Sequence, residues 1–286
     1  MARLAAVAGP IRWGRVLALG ATGFFLVMAV WEVPRLVGPD RLVGWLPFSD
    51  FAFYRSAAQH WLETGHFYLP DQLNGPYVVI LDKHVLYPPP ALLLFVPFVW
   101  LPAILWWVIP LGVIAYAFWR WRPAIWTWPI LAAIVFWPKT ESTLLLGNTD
   151  MWVAAGIAGG LLWGWPALLL VLKPTMAPLA LIGVRRRSWW LAALVLGIVS
   201  IPLIPLWIEY VDVVRYSQIP WNYWVTGIPV ALAPVVAWLG RTTGPTAWWL
   251  SRLRALDGSD RPAVSPGTAD SAADENGVDT GRAGLA

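Results

Sequence analysis

Residues 165–187 read WPALLLVLKPTMAPLALIGVRRR, and how this stretch folds decides how the rest of the chain is threaded. Trp165–Val184 has the length of one membrane crossing, at about 1.5 Å of rise per helical residue. It is interrupted at its middle by Lys173-Pro174 and closed by Arg185, Arg186 and Arg187. A single straight crossing would carry the arginine triplet to the outer side, against the bias of basic residues toward the cytoplasm. Two short half-helices meeting at Lys173-Pro174 return the triplet to the inner side. Such a break is tolerated at membrane depth where protein or a watery cavity satisfies the freed backbone groups. The broken form is expected.

Working outward, the composition agrees with a membrane setting. Of 286 residues, 58% are hydrophobic and 13% charged, against roughly 25% charged in soluble domains. Mean hydropathy is +0.60. An all-α polytopic membrane protein with roughly seven to nine membrane segments is expected, and a soluble single-domain enzyme is not. With 0 cysteines, disulfides, thiol nucleophiles and cysteine-ligated metals are excluded.

Arg3, Arg12 and Arg15 precede the apolar run Val16–Trp31, read as a retained first helix rather than a cleaved signal. Residues 32–87 then form an outer loop. The stretch Pro88–Trp119, punctuated by Pro97, Pro102 and Pro110, reads either as a short dip followed by a span or as two short spans. Ala124–Trp137, a polar island Lys139–Asp150 and Met151–Trp163 follow. After the arginine triplet, Trp190–Trp207 runs outward, Glu209–Asn222 lies outside and Tyr223–Leu239 returns. A short interfacial helix is expected around Trp248–Leu256. Residues 1–256 form the membrane body; 257–286, with six acidic and two basic residues and no aromatic one, read as a disordered acidic tail.

On this threading the inner segments hold Arg3, Arg12, Arg15, Arg120, Arg122, the triplet, Arg241, Arg252 and Arg254, and no acidic residue. Every carboxylate of the body falls outside. A multi-pass cell-membrane protein with cytoplasmic N-terminus and tail is expected. The net charge of +4 then needs no nucleic-acid partner.

Candidate chemistry gathers in the loop 32–87. Asp50 opens a helical pattern with Phe51, Tyr54, Ala58, Trp61 and Leu62 on one stripe, Arg55, Gln59 and Glu63 on the other face, and Gly65 as its stop. This reads as an amphipathic helix on the outer membrane surface. Asp50 either caps that helix, with Ser49, or acts as a catalytic carboxylate. His60 and His66 lie about 240° apart around a helix, so no metal site is expected. Lys83 and His84, just before Tyr87-Pro88-Pro89-Pro90, are placed either to meet an anionic lipid headgroup or to anchor the chain at the interface. Lys173 is costly in an apolar run unless it faces a cavity or an ion-pair partner.

The ordered set Phe48-Ser49-Asp50-Phe51-Ala52-Phe53-Tyr54, Ala57-Ala58, Gly65, Tyr68, Tyr87-Pro88-Pro89, Gly147-Asn148 and Lys173-Pro174 before an arginine cluster resembles the polyprenol-phosphate-mannose-dependent α-1,2-mannosyltransferases of actinobacteria. These form glycosyltransferase family 87, of the GT-C membrane fold. The resemblance spans roughly residues 45–190. It implies a GT-C-like bundle in which Asp50 is the general base for inverting transfer of a hexose, most simply mannose. The donor would be a polyprenyl-phosphate-linked sugar, and the acceptor a glycolipid or glycan hydroxyl.

Within that resemblance, His84, Lys83, Arg55 and Lys173 are candidates to stabilise the departing phosphate. Asn148 and Tyr87 join them as substrate-binding candidates. Tyr87 and Trp61 would offer aromatic surface to a sugar ring or lipid chain, or serve as interfacial belt residues. No cofactor or metal is expected. The family's Gly-Gln-x-Asn appears here as Gly147-Asn148-Thr149-Asp150, and fewer spans follow the Lys-Pro segment. The rest of the donor or acceptor site is then absent or supplied by a membrane partner subunit. A non-catalytic polyprenyl-lipid carrier, flippase or scaffold would use the same groove and cations without a base. A secondary transporter is disfavoured, because no second counterpart to the loop 32–87 is found.

Overall fold

The stretch 165–187 folds back on itself. In the computed structural model, which describes residues 13–37, 48–80, 82–219 and 227–243, Trp165–Leu172 and Pro174–Gly183 are separate 3₁₀ helices. Lys173 between them is extended, with φ −120° and ψ 100°. The break falls there because a residue before proline is pushed out of the helical region. Glycines close the base of this hairpin: a Cβ on Gly183 would lie 2.3 Å from the Gly164 carbonyl oxygen. The triplet therefore returns to where the hairpin began. Arg186 Nη2 donates to Leu161 O at 3.3 Å and Ser188 Oγ to Trp163 O at 2.6 Å. Gly183→Ala should force the two backbones apart and cost about 1–3 kcal/mol, read as a lower thermal midpoint in detergent; an unchanged midpoint would contradict this closure.

The chain is mostly helical. In order the helices are α1 (Trp13–Val37), α2 (Ser49–Thr64), α3 (Pro70–Leu73), α4 (Leu92–Phe95), α5 (Leu105–Trp121), α6 (Trp128–Phe136), α7 (Pro138–Leu146), α8 (Asp150–Trp163), α9 (Arg187–Ser200), α10 (Ile204–Tyr216) and α11 (Ile228–Leu239). The short strands β1 (Tyr77–Val78) and β2 (Ser217–Gln218) pair in parallel. The described residues belong to one unit, Met1–Gly244. The helix expected near Trp248–Leu256, the tail 257–286, and Arg3, Arg12, Arg252 and Arg254 lie outside the described residues.

Helix α8 is the centre of the bundle, buried from Asp150 to Gly160. Its glycines let the first hairpin arm approach: a Cβ on Gly159 would meet Pro166 Cβ at 2.7 Å, and one on Gly160 would meet Ala167 Cβ at 2.8 Å. Helices α5, α8 and α11 all start at one end of the bundle. Trp106 Nε1 donates to Gly147 O just ahead of α8, and Gly227 before α11 lies against Asp150. At the other end Tyr116 stacks on Trp163, and Gly240 packs on Thr127. There the Thr242 and Thr243 hydroxyls donate to the carbonyls of Arg122 and Arg120, and Arg241 bridges to Pro123. Arg120, Arg122, Arg186 and Arg241 thus share one end, while Asp150 and Lys173 stand at the other.

Pro88–Trp119 divides into two helical parts. Pro89–Val99 is a run of short helical turns, and α5 follows with Pro110 inside it. That run covers α2. Phe51, Tyr54 and Ala58 are buried, packed on Phe95, Phe98 and Trp106. The apolar stripe of α2 therefore rests on protein rather than facing the lipid surface, and Leu62 lies off the buried stripe and is exposed. Gly65 ends α2 in the left-handed region, as expected.

Two helical stretches, Gly14–Trp31 and Arg187–Tyr216, are long and apolar enough to cross a membrane. The second runs past the expected end at Trp207, so Glu209, Asp212 and Arg215 are helical. Their outward faces are apolar, with Phe24, Val27, Leu191, Leu194 and Ile198 exposed.

Candidate active site

At the end opposite the arginines, three separate segments converge on the turn Gly147-Asn148-Thr149-Asp150. This turn needs Gly147: its φ is +78°, and a Cβ there would press within 2.6 Å of the Trp107 ring. It then delivers three polar side chains. Asn148 Nδ2 donates to Asp50 Oδ2 at 2.6 Å. The Thr149 and Tyr87 hydroxyls lie 2.7 Å apart. Asp150 Oδ1 pairs with Lys173 Nζ from the hairpin tip. Asn148, Thr149 and Asp150 are all buried.

Asp50 stands in the first turn of α2, and no side chain caps that helix. Phe48 precedes it in a left-handed conformation, φ 69°, which costs a residue with a Cβ roughly 1–2 kcal/mol. Its amide donates to Leu145 O at 3.0 Å, pinning the helix start to α7. Burial pushes the Asp50 carboxyl above the usual aspartate range and the Asp150 charge adds to this, while the Asn148 hydrogen bond, Lys139 and Lys173 pull it back.

Tyr87 joins the cluster through two hydroxyl contacts, to Thr149 and to Tyr54 at 3.0 Å. Its carbonyl accepts from the Tyr68 hydroxyl at 2.8 Å. Burial pushes the Tyr68 hydroxyl's pKa far up, so it stays a donor.

The other cationic candidates are engaged elsewhere. Lys83 Nζ and His84 Nε2 both meet Asp71 Oδ2, at 2.5 and 3.2 Å, and His84 Nδ1 accepts from the Ile80 amide. The Lys83 hydrogen bond holds the exposed Asp71 carboxyl below the usual range. Arg55 donates to Val99 O at 3.3 Å, steadying the dip. His60 and His66 are exposed. Among the described residues, no three His, Asp or Glu side chains gather as a metal site requires.

Sequence reasoning missed Asp150, Thr149, Tyr54 and Lys139. Lys139, half-buried in the first turn of α7, has no ion-pair partner among the described residues. The signal that could have found it was its place at the start of the polar island Lys139–Asp150, between two apolar runs.

An apolar groove of about 540 Å³ runs between the first hairpin arm and α9, walled by Leu168, Leu172, Leu191 and Val195 and bounded by Pro90 and Leu94. In the sequence Leu172 is adjacent to Lys173, and Pro90 lies three residues past Tyr87. No protein-family model matches this chain, and no curated protein or solved structure is detectably similar to it.

Proposed function

We propose that the chain is a polytopic membrane glycosyltransferase. It would move a hexose, mannose by the resemblance drawn from the sequence, from a polyprenyl-phosphate donor to a glycolipid or glycan hydroxyl at the outer face. The observation that carries this reading is a half-buried carboxylate, Asp50, hydrogen-bonded by Asn148 within a cluster of polar side chains drawn from separate segments. The membrane setting is supported by two crossing-length helices, their exposed apolar faces and the gathering of arginines at the opposite end.

In this reading Asp50 accepts the proton of the acceptor hydroxyl. The acceptor oxygen bonds to the anomeric carbon while the bond from that carbon to the lipid phosphate oxygen breaks. The phosphate leaves with the electron pair, and the configuration inverts. Lys173 is neutralised by Asp150, which leaves Lys139 as the cation best placed to meet the leaving phosphate. Lys139→Gln is expected to lower transfer about 10²-fold with an unchanged thermal midpoint; an unaltered rate removes Lys139 from the mechanism.

The test of the reading is transfer from labelled polyprenyl-phosphate mannose in membranes containing wild type or Asp50→Asn. Transfer by wild type that is lost in the variant supports it. Full-rate transfer by the variant rejects Asp50 as base. The groove by itself also suits a lipid carrier, and movement of a fluorescent polyprenyl lipid that persists in Asp50→Asn, without transfer by wild type, would favour that alternative.

A further inference from the structure

We propose that Asn148 is the positioning residue of Asp50, and that it assigns different work to the two carboxylate oxygens. This rests on the reading of Asp50 as the base. The amide of Asn148 is held at both ends. Its Oδ1 accepts from the backbone N–H of Asp150 at 3.1 Å, and its Nδ2 donates to Asp50 Oδ2 at 2.6 Å. A backbone N–H can only donate, so the amide cannot flip without setting two donors face to face and leaving Asp50 opposite an oxygen. The orientation of Asn148 is therefore fixed by the chain itself.

Three further contacts keep that backbone N–H in place. The Asp150 side chain is tied to Lys173 at the hairpin tip. Thr149 is tied to Tyr87. The carbonyl of Gly147 accepts from Trp106. The turn is thus held from three directions, and Asn148 has little freedom to serve a substrate instead.

The consequence lies at Asp50. Its Oδ2 faces a permanent donor, which occupies one of that oxygen's acceptor sites, and protonating that oxygen would weaken the bond. Oδ1 is then the atom that takes the acceptor's proton, and the fixed amide favours the ionised carboxylate that a base requires. The charged groups acting on Asp50 are Lys139 from α7, Asp150 at the start of α8 and Lys173 from the hairpin tip; of its polar neighbours, Asn148 donates to it directly.

The experiment follows the Asp50 carboxyl directly in the full chain in detergent. Carbon-13 aspartate labelling, with the signal assigned by its loss in Asp50→Asn, gives a titration, and labelled-donor transfer gives a pH–rate profile. In Asn148→Leu both the titration and the acid limb should move to higher pH by about one to two units, a tenfold to hundredfold loss below the limb that recovers above it. Asn148→Asp keeps the shape and the acceptor toward Asp150 N–H but faces Asp50 with an oxygen, and should move it further. It also covers the case in which the leucine variant fails to fold. An Asp50 titration left in place by these changes overturns the proposal, as does a rate that falls equally at every pH. If wild type transfers no sugar, the glycosyltransferase reading fails, and the titration alone still decides whether Asn148 governs Asp50.

Discussion

Asp50→Asn is expected to cut sugar transfer by roughly 10²–10⁴-fold while the protein keeps its stability within about 1 kcal/mol of wild type. The substitution is nearly isosteric, and α2 is started by backbone contacts at Phe48 rather than by this side chain. What it removes is the ability to accept a proton. The pH dependence has a definite sign. A base works only when ionised, and burial, with Asp150 beside it, holds the folded-state pKa of Asp50 above that of an ordinary aspartate. Transfer should therefore fall as pH drops through a range higher than a solvated carboxylate would give. The residual rate of the variant should show no such limb. Initial rates with labelled donor across pH check both statements, and an acid limb that survives in Asp50→Asn would assign the titration to another group.

The second large effect concerns stability. Lys173 and Asp150 are an ion pair with side chains 12% and 2% exposed, so water screens them little. The second Asp150 oxygen, Oδ2, is buried without a hydrogen-bond partner among the described residues. Lys173→Met would leave the carboxylate uncompensated, at an expected cost of about 3–5 kcal/mol. Replacing both residues, Lys173→Met with Asp150→Leu, should recover much of that loss, because no charge then remains buried. Thermal unfolding in detergent of the two single variants and the double variant closes the cycle. Strictly additive losses would mean that the pair carries no coupling.

The parts of this fold legible in the sequence are those governed by local rules. Proline after Lys173 pushes that residue out of the helical region, and the hairpin turns there, although α5 continues through Pro110. Gly65 stops α2 for an equally local reason. The convergence of Asp50, Asn148 and Lys173 had a different kind of signal: each is a polar group that apolar surroundings would not tolerate alone.

The rest depends on partners distant in the chain. Lys83 and His84 read as free cations at a re-entry point, yet Asp71 takes both, and periodicity says nothing about which carboxylate a loop brings back. Asp150 read as the polar edge of an island, because an acid at the start of an apolar run marks a boundary as often as a site. The apolar stripe of α2 was legible as a stripe. That protein covers it followed from the short helical turns at Pro89–Val99, which the proline spacing did not reveal.

The closed base of the hairpin bears on how such a chain is made. The first arm starts and the second ends at the arginine end of the bundle, so on the proposed membrane reading none of Arg185, Arg186 and Arg187 has to be translocated during synthesis. Only the tip travels the depth of the bundle, and it carries a single charge, Lys173. Its counterion, Asp150, is earlier in the chain and is synthesised first. On that same proposed reading the lysine would insert toward a carboxylate already made, and the order of residues along the polypeptide would spare the growing chain an unpaired cation in an apolar setting.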